Sequence, residues 1–190
     1  MWDEPKPKYT YIIIALCTIF YLLSQFTNID RYMAYTPAYT LYFPWTTITA
    51  LFIHADLEHL FYNMLALLIF GSTLERRIGN QQFFALYFLS GFVGNLGYYL
   101  TAVNLHIPVV GASGAIYGVV GTLTVLEPFL LVYIYGLVPL PMIAAAILWT
   151  YGDIAGLFSP STVAHGAHLA GMLVGIIVGV MYRLGNRRRF

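Results

Sequence analysis

The sequence predicts an all-α polytopic membrane protein: a six-transmembrane-helix bundle with a membrane-associated first outer loop, built as one domain over residues 1–190. Three observations predict it. Apolar residues make up 59% of the chain and charged residues 9%, against about 45–50% and about 25% in a soluble domain. Mean hydropathy is +0.74. The apolar positions gather into runs of membrane-crossing length, and the basic residues fall almost entirely on one side of them. A chain this size cannot bury so much apolar surface in one soluble core and still cover itself with polar groups. A soluble enzyme, a disordered tail and a collagen-like fibre are therefore excluded. The net charge of +1 carries no polyanion signal, so no nucleic-acid partner is expected. The single Cys17 excludes a disulfide framework or a multi-cysteine metal site.

A membrane helix needs about 20 apolar residues. Six runs qualify, at about 10–26, 57–73, 82–103, 110–126, 129–151 and 163–183. The first ends before Asn28-Ile29-Asp30. Lys6 and Lys8 precede it, but no small-residue cleavage site follows, so it reads as an anchor and not a signal peptide. The second ends at Gly71-Ser72-Thr73. The third ends at Asn104, and His106-Ile107-Pro108 leads into the fourth. Glu127-Pro128 separates the fourth from the fifth. The fifth holds Pro139 and Pro141 and is expected to be kinked or irregular. Ser159-Pro160-Ser161-Thr162 precedes the sixth, with Ser161 or Thr162 as N-cap.

Orientation follows from Lys and Arg. With the N-terminus in the cytoplasm, Lys6, Lys8, Arg76, Arg77, Arg183, Arg187, Arg188 and Arg189 are all cytoplasmic, and only Arg31 lies outside. An even number of spans returns the basic C-terminal tail to the same side. The expected location is the cell membrane, multi-pass, with both termini cytoplasmic. The first outer loop, about 28–56, carries Tyr32, Tyr35, Tyr39, Tyr42, Phe43 and Trp45, residues that favour the membrane interface.

The polar residues collect on one face. His54, His59, His106, His165 and His168 all fall on the outer side. At 1.5 Å per residue, His168 lies about 8 Å into its span, Asn63 about 10 Å into the second, and Ser113 about a turn into the fourth. His59 and Asn63 are i and i+4 on one helical face. Polar groups within hydrocarbon face a bundle interior or a wet cavity, so a water-filled pocket opening outward is expected.

Gly111-Ala112-Ser113-Gly114 sets a serine near a helix N-terminus, whose positive end favours a developing oxyanion. By itself this is also what a small-residue packing patch looks like, and Gly114, Gly118 and Gly121 fit that reading. In Ala167-His168-Leu169-Ala170-Gly171, a histidine begins a stripe of Gly171, Gly175 and Gly179. If the two glycine stripes meet, Ser113 and His168 come within reach and His168 becomes the better general base. His165 competes for that role but sits nearer the surface. His59, Asn63 and the Ser113 backbone N–H would supply oxyanion donors. Asp153 is the one acid placed to complete a triad; its position at the outer end of the fifth span reads as a membrane-interface residue.

Together, His54-x4-His59-x3-Asn63, Gly111-x-Ser113-Gly114-x2-Tyr117-Gly118 and Ala167-His168-x2-Gly171-x3-Gly175 resemble the rhomboid intramembrane serine proteases. The resemblance covers about residues 45–180, in order, and fits the six-helix form. It implies a serine endopeptidase acting on transmembrane segments of other proteins, with a Ser113–His168 dyad and no acid. It implies that His59 and Asn63 stabilise the oxyanion, that Tyr117 packs on the catalytic histidine ring, and that His54 supports the outer loop. Gly111, Gly114 and Gly171 are supporting positions. Glu75-Arg76-Arg77-x-Gly79 is similar to the family's loop after the second span. The family's Trp-Arg pair is half present, since Thr46 follows Trp45. The implied partners are transmembrane substrates and the lipid bilayer, with no cofactor and no metal. Three other readings compete with this one. A histidine metal or haem site lacks a His-Glu-x2-His pattern and leaves Ser113 without a role. A transporter would show broken helices in matching halves, and only the fifth span looks broken. An inactive scaffold would keep the motifs without the activity.

Overall fold

The computed structural model describes residues 6–134, 136–159 and 161–185. Pro160 and the Arg187-Arg188-Arg189 tail, both used in the sequence reading, lie outside the described residues. The main helices are α1 (Tyr9–Ser24), α2 (Leu57–Ile78), α3 (Asn80–Thr101), α4 (Ser113–Leu126), α5 (Met142–Gly156) and α6 (His165–Gly185). Helices α2, α3 and α6 are long and apolar enough to cross a membrane; α1, α4 and α5 are shorter apolar helices.

Helix α1 buries Thr10, Ile13 and Cys17, one stripe of its surface. Its N-terminus is capped from a distance. The buried Glu75 carboxylate accepts the backbone N–H groups of Lys8, Tyr9 and Thr10 at 2.9, 2.8 and 2.9 Å. Those are orphan donors of the helix start, and the negative charge suits that end of the dipole.

Helix α2 begins at an Asp56 N-cap, whose side chain accepts the His59 N–H at 2.7 Å. It runs beyond the expected stop at Thr73. Gly71-Ser72-Thr73 does not break it: the helix continues through a widened π turn over Leu67–Gly71, and the Thr73 hydroxyl bonds back to the Ile69 carbonyl at 2.7 Å. The helix ends at Gly79, whose φ of 87° lies in the left-handed region.

Helix α4 is the centre of the molecule. Ten of its 14 residues are buried. At about 21 Å it is short for a bilayer, but protein surrounds it. Gly171 of α6 packs on the Gly114 carbonyl of α4, and Gly175 packs on the Gly118 carbonyl. Behind them the Thr122 hydroxyl donates to the Gly175 carbonyl at 2.9 Å. Helix α3 closes the third side through Gly94 and Gly97.

The expected span at 129–151 is corrected. Residues Leu131–Ile134 and Val138–Pro141 form an antiparallel hairpin, with Leu131 opposite Pro141 and Ile134 opposite Val138. The fold is thus mostly helical and not strictly all-α. Pro139 and Pro141 supply no backbone N–H and stop a helix; Gly136, at φ 71°, makes the turn. The fifth helix starts only at Met142 and extends to Gly156. This shift moves Asp153 from the helix end into its body.

The loop over 28–56 is a folded layer. Tyr35 is fully buried and pairs with Val109 through two backbone bonds of 3.1 and 2.8 Å. The Asn95 amide of α3 donates to the Thr47 carbonyl at 2.8 Å, and the Gly111 N–H donates to the Ala50 carbonyl at 3.0 Å. Trp45 donates to the Tyr32 carbonyl at 3.3 Å, without the arginine that the motif pair would have added. Leu41, Tyr42 and Trp45 remain exposed on its rim.

Candidate active site

The approach of α4 and α6 decides the site. Because both helices present glycine at their crossing, their backbones touch and the side chains just outward of the crossing meet. Ser113 is the first residue of α4 rather than a turn inside it. Gly111, at φ 120°, cannot continue a helix backward. The Ser113 hydroxyl therefore sits at the positive end of α4, among N–H groups with no intrahelical acceptor.

The His168 Nε2 lies 2.8 Å from Ser113 Oγ. His168 is 9% exposed. Tyr117, one turn along α4, stacks on its ring with centroids 4.2 Å apart and planes 10° from parallel. Stacking and glycine packing together leave the imidazole little freedom to turn.

His59 and Asn63 of α2 line the same cleft as Ser113, Tyr117 and His168, an opening of about 1400 Å³. The Asn63 amide donates to the His59 carbonyl at 2.9 Å, which fixes its side chain and leaves its second N–H. The His59 ring covers Gly111: a β-carbon there would come within 2.7 Å of two ring atoms. His54 is buried beneath, its ring 5.1 Å from that of His59. Burial, reinforced by the neighbouring His59, holds the His54 pKa down to about 4. His106 is not among the residues lining the cleft and packs against Tyr39.

Asp153 is not an interface residue. It is 4% exposed. With the helix starting at Met142, positions 142, 145, 146 and 153 form its buried stripe, so the carboxylate points at α6. Its Oδ1 lies 2.9 Å from His168 Nδ1 and 2.7 Å from His165 Nδ1. His165 does not reach Ser113; its Nε2 lies 3.0 Å from Ser161 Oγ. Ser161 also accepts the Val163 N–H at 3.0 Å, so it orders the approach to α6 without being its N-cap. Asp153, His165 and His168 are also a set of three that could hold a metal, with ligand atoms within 4.8 Å of one another. In the sequence, the signal for Asp153 was the 142/145/146/153 spacing, hidden by the misplaced helix start.

The fold and site define a helical membrane protein whose cleft holds a serine bonded to a histidine. The comparisons with known proteins give the family. The rhomboid domain family matches residues 43–184. YdcA of Bacillus subtilis, a rhomboid-family protein, is 31% identical over 149 residues, covering 77% of this chain and 71% of YdcA. The rhomboid protease GlpG of Haemophilus influenzae is 28% identical over 180 residues, 90% of this chain and 89% of GlpG. The mitochondrial rhomboid protein 1 of Saccharomyces cerevisiae is 33% identical over 144 residues, 70% of this chain but 40% of that protein. The chain belongs to the rhomboid family of intramembrane proteases.

Proposed function

We propose that the chain is a serine endopeptidase that cleaves transmembrane segments of other membrane proteins, with Ser113 as nucleophile and His168 as general base. The observation that carries this reading is the 2.8 Å contact between His168 Nε2 and Ser113 Oγ, within the range that proton transfer requires. His168 takes the hydroxyl proton as Ser113 Oγ attacks the scissile carbonyl carbon. The tetrahedral oxyanion is met by the Ser113 N–H, the free amide N–H of Asn63 and the His59 imidazole, all donors in a cleft of low dielectric. His168 then gives its proton to the departing amine, leaving an acyl-serine. Water, activated by the same imidazole, releases the carboxylate product and regenerates Ser113. The reaction uses no cofactor, metal or nucleic acid.

In this reading the six helices are six spans of a single domain, residues 1–190, in the cell membrane with both termini cytoplasmic. The dyad then lies near the outer side, where water reaches it. A substrate helix must unwind locally to expose its scissile bond, so small or helix-breaking residues near its outer end are favoured.

The test is reconstitution in liposomes with a single-span reporter protein. Cleavage by the wild type, at a bond that mass spectrometry places in the span, with none by Ser113→Ala, supports the proposal. Equal cleavage by Ser113→Ala, or none by a folded wild type against reporters with helix-breaking spans, overturns it.

A further inference from the structure

We infer that Asp153 is a positioning residue for His168, held in place by His165, so that this chain works with a carboxylate-supported histidine and not a bare dyad. The inference rests on the serine-protease reading and deepens it.

One carboxylate oxygen serves both histidines. Asp153 Oδ1 lies 2.9 Å from His168 Nδ1 and 2.7 Å from His165 Nδ1. A carboxylate only accepts, so both Nδ1 atoms carry hydrogen. For His168 this leaves Nε2 with a lone pair, facing the Ser113 hydroxyl at 2.8 Å. That is the tautomer a general base must have. For His165 it leaves Nε2 to accept from the Ser161 hydroxyl at 3.0 Å, while Ser161 Oγ accepts the Val163 N–H. Every proton from Val163 to Ser113 is thereby assigned without conflict: two donors converge on Asp153, and each histidine accepts at its other nitrogen.

The pocket for this arrangement is built. Asp153 lies on the buried stripe of α5. The next glycine on that helix, Gly156, gives the His165 ring its room, since a β-carbon there would overlap the ring. Tyr117 stacks on His168. When His168 takes the serine proton it becomes a cation in a site only 9% exposed. An anion in contact with it offsets the desolvation of that charge.

Asp153→Ala is the informative variant, because Asp153→Asn would keep an oxygen where Oδ1 now takes both histidine N–H groups. Without an acceptor at Nδ1, His168 is free to carry its proton on Nε2, where it can no longer accept from Ser113, and its cation loses the neighbouring anion. We expect kcat on the reporter protein to fall on the order of 10²- to 10⁴-fold, with KM changed less than about threefold. A residue that only held the fold would lower the amount of folded enzyme and not kcat per folded molecule. Nitrogen-15 spectra of histidine-labelled protein read the tautomer directly: His168 protonated at Nδ1 in the wild type, with the Nε2-protonated form appearing in Asp153→Ala. The wild-type spectrum needs no variant to fold. A wild-type His168 protonated at Nε2, or a folded Asp153→Ala with kcat within about threefold of wild type, overturns the inference. Absence of cleavage by wild type with the Nδ1 tautomer present would instead count against the protease reading and leave the positioning intact.

Discussion

Gly171 of α6 rests on the Gly114 carbonyl of α4 so closely that a β-carbon at Gly171 would overlap that oxygen. This contact, three residues from His168 and one from Ser113, sets the distance between the two helices and hence the 2.8 Å bond between the two side chains.

Gly171→Val therefore separates α4 from α6. Overpacking at such a contact costs about 1–3 kcal/mol, and a 1 Å displacement of reacting groups costs about a hundredfold in rate. The expected outcome is a folded, less stable protein with reporter cleavage down at least about a hundredfold. Cleavage at the wild-type rate would show that the crossing does not set the dyad.

Asn63→Ala removes the proposed oxyanion donor without touching the Ser113–His168 hydrogen bond. The expected loss is on the order of 10²–10³ in kcat, with the Ser113 hydroxyl still accessible to its base. An unchanged kcat in steady-state kinetics would remove Asn63 from the site.

Glu75→Gln tests the long-range cap. The carboxylate accepts three backbone N–H groups; the amide brings an NH2 against those donors. A loss of about 1.5–3 kcal/mol is expected, read as a lower melting temperature in detergent, with kcat of the folded protein unchanged. Equal melting temperatures would show that α1 needs no such anchor.

His54 makes stability depend on pH. Its pKa falls from 6.5 to about 4 on folding, chiefly through burial. Between those values the unfolded chain binds a proton that the folded chain does not, so stability is full above pH 6.5 and is lost as pH falls toward 4. Each unit in that window costs about 1.4 kcal/mol from this group. Melting temperature measured from pH 7.5 down to 4 should fall below 6.5, and His54→Gln should flatten the fall. Identical profiles would contradict this.

Much of the site was legible before the structure. The glycine stripes marked where α4 and α6 could touch, because glycine allows backbones so close, and left the contact itself as a condition. The i, i+4 spacing of His59 and Asn63 put both on one wall of the cleft. Other features were not legible, and each has a local cause. Hydropathy does not distinguish a proline-rich strand pair from a helix when both are apolar, so Leu131–Pro141 read as membrane span. That error hid the stripe carrying Asp153. The continuation of α2 past Thr73 depends on a π turn and on hydroxyls bonding back to carbonyls, neither visible in an apolar pattern. The role of Glu75 joins residues 65 to 67 positions apart, a distance that no motif spans.

The central claim is that Ser113 is activated by His168. Its most direct test is labelling of the detergent-solubilised protein with a fluorophosphonate probe, which reacts only with an activated serine. The account predicts labelling of the wild type, none of Ser113→Ala and at most a trace with His168→Ala, unaffected by a metal chelator. Labelling that persists in folded His168→Ala, or that a chelator abolishes in the wild type, would contradict it.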